Sequence, residues 1–436
     1  MSRVLVISPD YASHYYPMSA VGHSLAERGH KVTFATGPGI RHLVREDGFA
    51  YAALMLGPGS NPGLMRPDDQ SDEERAQIES FFEATRRGMV GALMHQATHR
   101  LRDLLWQPDR VASDIESLIK SCAPDRIIVD QLAFGATAAL RGLGQEFISF
   151  HPGHPSAISV GAPYGYPERL PRRLQVSLEG LEELKQVCKT VVARFTDEYN
   201  CAIARIDPTA ELVRDAFAAT SELRTLINYP AVLGAGHSLP ARSRFIGSAV
   251  RRQPLPDRLR RSNSSSRPTI FVSLGSFFSA RSDLLRKIVR AFRNEPVNVV
   301  LASGTTPHHL LGRIPSHWIV EPFLPQPAVL RRSDLVVTHG GNNTVTEALT
   351  AGVPLLVGPL STDQFVGAAD VERAGLGRAF DPNFDSASTI SHIASDVLAS
   401  AAVPKAAALG HELTSNPGQE LAADLIEASV PVTVSA

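Results

Sequence analysis

One stretch of the chain places polar and flexible residues at spacings that imply chemistry. Residues 338–364 read THGGNNTVTEALTAGVPLLVGPLSTDQ. The β-branched run Asp334–Thr338 suits a buried parallel strand, and His339-Gly340-Gly341 turns sharply at its end. Asn342 or Asn343 is placed to cap a helix running to about Thr350, with Glu347 in its early turns. A Gly-rich turn feeding a helix N-terminus aims free N–H groups and the positive end of a helix dipole at one point, which suits a phosphate. Gly275-Ser276 makes a second tight turn after a strand, so the two turns can converge on one ligand. Asp363 and Gln364 follow the strand Pro354–Gly358 at its carboxyl end, the edge where ligands of open α/β sheets lie. A diphosphate at the helix and hydroxyls on Asp363 and Gln364 together describe a nucleotide sugar. The chain has no Asp-x-Asp pattern and no metal-ligand spacing. Stabilising a leaving diphosphate would fall to backbone amides, the helix dipole and the side chains of His339, Ser276 and Thr344, so neither a metal nor another cofactor is expected.

The elements that must position these residues alternate between strands and helices. Arg3–Ser8, His30–Thr36, Phe49–Leu54, Asp125–Asp130 and Glu146–His151 read as strands, with helices over Met18–Arg28, Ile40–Asp47 and Phe134–Leu143. Pro9–Tyr16 reads as a loop. A helical region spans about Asp72 to Lys120, with Ile78, Phe81, Phe82, Thr85, Met89 and Leu93 on one apolar face. Such a face is either core or, through Phe81, Phe82, Met89, Met94 and Trp106, the wall of a pocket for a large apolar ligand. The same grammar restarts at Thr269–Ser273 after an arginine- and serine-rich stretch, Ala249–Pro268, which reads as a solvated linker. The fold expected is α/β: two facing doubly wound, Rossmann-like domains with a cleft between them. The spans are 1–240, a linker at 241–268, and 269–436, with the terminal helix free to pack back on the first domain.

Length and composition set outer bounds. A chain of 436 residues is too long for one ordinary core and suits two domains. A net charge of -1 argues against a nucleic-acid partner held by a broad basic field. Cys122, Cys188 and Cys201 are scattered without Cys-x-x-Cys pairing, which fits small thiols in a reducing compartment. MSRVLVIS enters a strand directly, with no apolar run long enough for a membrane span, so a cytoplasmic location is expected.

The stretch from Pro322 to about Gly377 resembles the nucleotide-sugar signature of the inverting UDP-glycosyltransferase superfamily, whose members have the two-domain GT-B fold, and the likeness continues more weakly along the whole chain. The resemblance implies that Gln326 binds the nucleotide base and that Phe323 stacks on it where many members have tryptophan, leaving uracil and thymine both open. It implies further that His339 and Gly341 bind the diphosphate, that Asn343 and Thr344 form the polar pair that follows, that Glu347 holds the ribose, and that Asp363 and Gln364 hold sugar hydroxyls. Asn342 stands where plant members have tryptophan. SHYYP, Ser13–Pro17, lies where the family shows Gly-His-x-x-Pro, which makes His14 the candidate general base and Asp130 the carboxylate that orients it. Asp10 is a weaker competitor, and His151 and His154 are candidates for the acceptor site.

The expected activity is transfer of a hexose, with inversion, from a UDP- or dTDP-sugar to a hydroxyl of a hydrophobic small molecule, with Phe81, Phe82, Met89 and His151 on the acceptor side. Antibiotic and other natural-product pathways are the family-level setting. Two alternatives share the fold: a nucleotide-sugar epimerase, and a non-catalytic partner of another transferase. Oligomeric state is left open.

Overall fold

The computed structural model describes residues 1–63, 72–99, 104–257 and 267–429. Part of the expected acceptor region, the serine run of the expected linker with Arg258, Arg260 and Arg261, and the last seven residues lie outside that description.

Two all-parallel sheets organise the chain. The first holds β1 (Arg3–Ile7), β2 (Lys31–Thr36), β3 (Ala50–Ala53), β4 (Arg126–Asp130), β5 (Ile148–His151), β6 (Arg224–Ile227) and β7 (Ser243–Phe245) in the order β3-β2-β1-β4-β5-β6-β7. The second holds β8 (Thr269–Ser273), β9 (Asn298–Ala302), β10 (Ile319–Glu321), β11 (Leu335–Thr338), β12 (Leu355–Val357) and β13 (Gly377–Ala379) in the order β10-β9-β8-β11-β12-β13. Helices cover both faces, so central strands such as VLVI in β1 and LVVT in β11 are continuous apolar runs buried on both sides. In each sheet the strand order reverses once, between β1 and β4 and between β8 and β11. Those are the crevices where doubly wound sheets bind ligands.

Several expectations are corrected. The loop after β1 ends at Tyr11, and the first helix runs Ala12–Glu27 with Pro17 inside it, so His14 sits on a helical turn. Pro17 lies beyond the first turn and removes the backbone bond to the Ser13 carbonyl. The helical region is three helices, Asp72–Arg86, Met89–His99 and Pro108–Cys122, with Gly88 at φ 91° in the first break. β7 closes the first sheet, as the run Ser243–Gly247 predicts, and pairs with β6 through Ile227 and Phe245, so the link between domains begins after it rather than at 241.

The helix Asp72–Arg86 belongs to the first half of the sequence but packs on the second sheet. Phe82 is buried in a cluster with Ile270, Val272 and Leu285, and its ring lies 5.1 Å from that of Phe277. The buried Arg281 donates to Thr85 Oγ1 at 2.8 Å and to both oxygens of Asp283 at 2.8 Å. The terminal helix Gly418–Glu427 returns to the first domain, where Arg28 donates to Glu420, Asp424 and Glu427 and Arg126 to the Ile426 carbonyl. Its start touches the first crossing between domains, with Gly418 N donating to the Ser248 carbonyl at 3.1 Å. Among the described residues no single helix is long and apolar enough to cross a membrane, and none of the three cysteines is in a disulfide.

Candidate active site

His14 and Asp130 meet at the switch point of the first sheet although 116 residues separate them. Asp130 closes β4 and is fully buried, its Oδ1 accepting from Leu132 N at 2.8 Å. His14 Nδ1 donates to Asp130 Oδ2 at 2.8 Å. That bond fixes the tautomer and leaves Nε2 as the ring nitrogen able to take a proton. Burial opposes charge on the His14 ring. The charge and hydrogen bond of Asp130 outweigh it, with help from Asp363, and hold the imidazole pKa above its ordinary value.

Facing this pair across a cavity of about 480 Å³ is the turn after β11, a volume typical of small-molecule sites. His339 is clasped between two glycines: a Cβ at Gly341 would stand 2.5 Å from its ring and one at Gly275, which has φ 72°, 2.8 Å. Burial drives the His339 pKa down to about 4 against the opposing pull of Asp363 and the Ser273 backbone, so the ring is neutral at neutral pH and donates one hydrogen bond. The helix Asn342–Thr350 begins after Gly341, which offers no side-chain cap. Among the described residues the N–H groups of Asn342, Asn343 and Thr344 have no partner, so they remain free for an anion. The sequence-expected caps at Asn342 or Asn343 are thus one and two residues late.

The remaining donor-side residues divide. Phe323 stands half exposed on the cavity wall, as base stacking would require. Gln326 Nε2 donates to Glu347 Oε2 at 2.7 Å while its Oε1 faces Thr344 Oγ1 at 3.4 Å, and all three line the cavity with Ser276. Burial raises the Glu347 pKa, which the charge of Arg251 and the Gln326 amide offset only in part. Asp363 accepts from Asn342 Nδ2 at 3.0 Å, His154 N at 3.1 Å and Thr362 Oγ1 at 2.8 Å. Burial alone would raise its pKa, but His154 and these hydrogen bonds hold it below the usual carboxylate range. Gln364, expected on sugar hydroxyls, instead accepts from Leu360 N and Ser361 N and donates to Ser361 Oγ; it starts the next helix and is absent from the cavity wall. Asn343 reaches out of its helix and donates to the Ser13 carbonyl at 2.7 Å.

On the acceptor side His151 lines the cavity, its Nε2 donating to the His154 carbonyl at 2.9 Å. Burial pulls its pKa down, so it is a neutral brace for that loop. Phe81, Phe82 and Met89 are not on the cavity wall. Phe81 and Phe82 pack on Phe277 and Phe278, and Met89 is buried with Leu93, Phe134 and Leu184. Asp10 is used structurally, accepting from Gly39 N and Ile40 N. The walls are supplied instead by Tyr16, Leu132, Tyr164, Tyr166 and Val366, which no periodic pattern singles out. Arg251, read as part of a solvated linker, also lines the cavity, with its guanidinium 3.4 Å from the centre of the Tyr16 ring. A basic run carries no sign of which of its members turns inward.

Two Rossmann-like domains, with an oriented histidine on one and a phosphate-sized turn on the other, define the GT-B class. The sequence comparisons agree. Residues 187–398 match the family described as UDP-glucoronosyl and UDP-glucosyl transferase. The zeaxanthin glucosyltransferase of Pseudescherichia vulneris is 28% identical over 389 residues, covering 87% of this chain and 86% of that protein. The demethyllactenocin mycarosyltransferase of Streptomyces fradiae is 28% identical over 423 residues, covering 95% of this chain and 84% of that protein. The solved structure of the kitacinnamycin glycotransferase superposes with a TM-score of 0.70 at 22% identity, over 99% of both chains. Residues 187–398 thus carry a similarity to the UDP-glycosyltransferase family, and over most of its length the chain is similar to named glycosyltransferases, which places it among the glycosyltransferases.

Proposed function

We propose that the protein moves a hexose from a UDP- or dTDP-sugar to a hydroxyl of a hydrophobic small molecule, with inversion at the anomeric carbon. The observation that carries this reading is that His14, held from behind by Asp130, and the His339 turn face one cavity. In the step proposed, His14 Nε2 takes the acceptor hydroxyl proton and the acceptor oxygen forms its bond to the anomeric carbon. The bond from that carbon to the diphosphate breaks on the opposite face. The charge left on the diphosphate meets the free N–H groups of residues 342–344 and the neutral His339. Asp130 Oδ2 keeps hold of Nδ1–H on the imidazolium that forms. Glu347 and Gln326 suit the ribose and base, and Asp363 the sugar. Tyr16, Leu132, Tyr164 and Tyr166 give the acceptor side the aromatic and apolar lining of a site for a natural product.

The relatives support a secondary-metabolite setting without agreeing on the sugar, since one is named for glucosyl and the other for mycarosyl transfer. We also propose that transfer needs no metal. Among the described residues the grouping with metal-ligand spacing is His154, His237 and Asp370, and none of these lines the cavity. Thermal-shift titration with UDP, dTDP and their glucose conjugates tests the donor class, because a ligand of the folded state raises Tm by mass action. A shift with one nucleotide series is expected, and none with either would sink the donor assignment. Turnover with the donor so found should be unchanged by EDTA.

A further inference from the structure

The first helix contains a gap in its own hydrogen bonding at the residue beside the base. A proline inside a helix lacks the N–H that would bond the carbonyl four residues back. For Pro17 that carbonyl belongs to Ser13, the neighbour of His14. The Asn343 amide, from the opposite domain, donates to this carbonyl at 2.7 Å. A carbonyl can only accept, so the Asn343 nitrogen must face it. The flanking residues of the same turn point elsewhere, Asn342 to Asp363 and Thr344 to Gln326. We propose that Asn343 is a positioning residue for His14: it completes, from the donor domain, the turn that Pro17 leaves open. The base is then set against Asp130 only when the two domains are together. The proposal rests on the transfer reading above and gives the Asn343 side chain a part of its own, a link between domains, beside the diphosphate contact proposed for its backbone N–H.

The test uses the full chain with UDP-glucose or dTDP-glucose as donor and 4-methylumbelliferone as acceptor. Asn343→Ala should lower kcat about tenfold with donor KM nearly unchanged, since a lost bond that lets a base drift costs rate more than binding. Asn343→Asp should lose at least as much, because a carboxylate repels the Ser13 carbonyl. Pro17→Ala restores an N–H within the helix, so adding Asn343→Ala to Pro17→Ala should cost much less than it does in the wild-type chain. NMR titration of the His14 ring in the free enzyme needs no substrate. Its pKa should fall toward the ordinary value in Asn343→Ala and hold in the double variant. Equal losses in both backgrounds would overturn the proposal, as would weakened UDP binding with kcat intact. If the wild-type chain turns over neither donor, the transfer reading fails for these substrates, while the NMR titration still decides the role of Asn343.

Discussion

The sign of the two histidine shifts sets what pH should do. In the transfer proposed above His14 must be neutral to take the proton, and its pKa is held above the ordinary 6.5. The acid limb of kcat/KM should therefore lie above that pH. In Asp130→Asn the limb should move down, because the charge that raised it is gone, and kcat should fall roughly 10²- to 10⁴-fold. His14→Ala should lose turnover to a similar degree while still binding nucleotide, and near-wild-type turnover would refute the base assignment. His339 shifts the other way, to about 4. Between that value and 6.5 the unfolded chain binds the proton and the folded one does not, so stability is present at neutral pH and drains away as pH falls. His339→Gln should flatten this part of the acid-stability profile relative to wild type, measured as urea midpoints across the range. The meeting of His14 and Asp130 was legible through the family resemblance, because a histidine after the first strand and an aspartate ending a neighbouring one come together at the switch point of a doubly wound sheet. Gln364 was misread because its type suits a sugar hydroxyl and a loop amide equally well.

At the scale of elements, the turn after β11 works by close approach. Gly341→Ala or Gly275→Ala would push a methyl group into the His339 ring, at 2.5 and 2.8 Å. UDP affinity by calorimetry should fall at least about tenfold, as expected when donors at a preorganised anion site are displaced, while the circular dichroism spectrum holds. The strands were legible from continuous apolar runs, since parallel strands are buried on both faces. The stripe Ile78–Leu93 was legible as an apolar face and no further. Periodicity marks a side that must be covered, and a partner two hundred residues away, Phe277 and Phe278, leaves no trace in that spacing. Pro17 misled for a related reason: it reads as a helix breaker, and the bond that replaces the missing one comes from another domain.

The domains meet in more than the cavity. Asp370, fully buried, accepts from His237 Nε2 at 2.8 Å and Arg169 Nη1 at 2.5 Å across the interface, and from Arg373 Nε at 3.1 Å on its own helix. Asp370→Asn would leave the guanidinium groups of Arg169 and Arg373 facing a neutral group, and urea unfolding should show a loss of about 3–5 kcal/mol. Thr362 is held at φ 47° beside Asp363, where Gln96 Oε1 from the first half of the chain accepts from its backbone N–H. The chain passes between domains twice, after β7 and again before the terminal helix, and the two passages are bonded to each other through Gly418 and Ser248. Two strands pinned together make a pivot. Motion about it is reduced to rotation, with little freedom to slide, so a small angular change at Ser248 is enlarged with distance from that point. The mouth of the cavity can then gape for a bulky acceptor while the register between His14 and Asn343 is recovered each time the jaws shut.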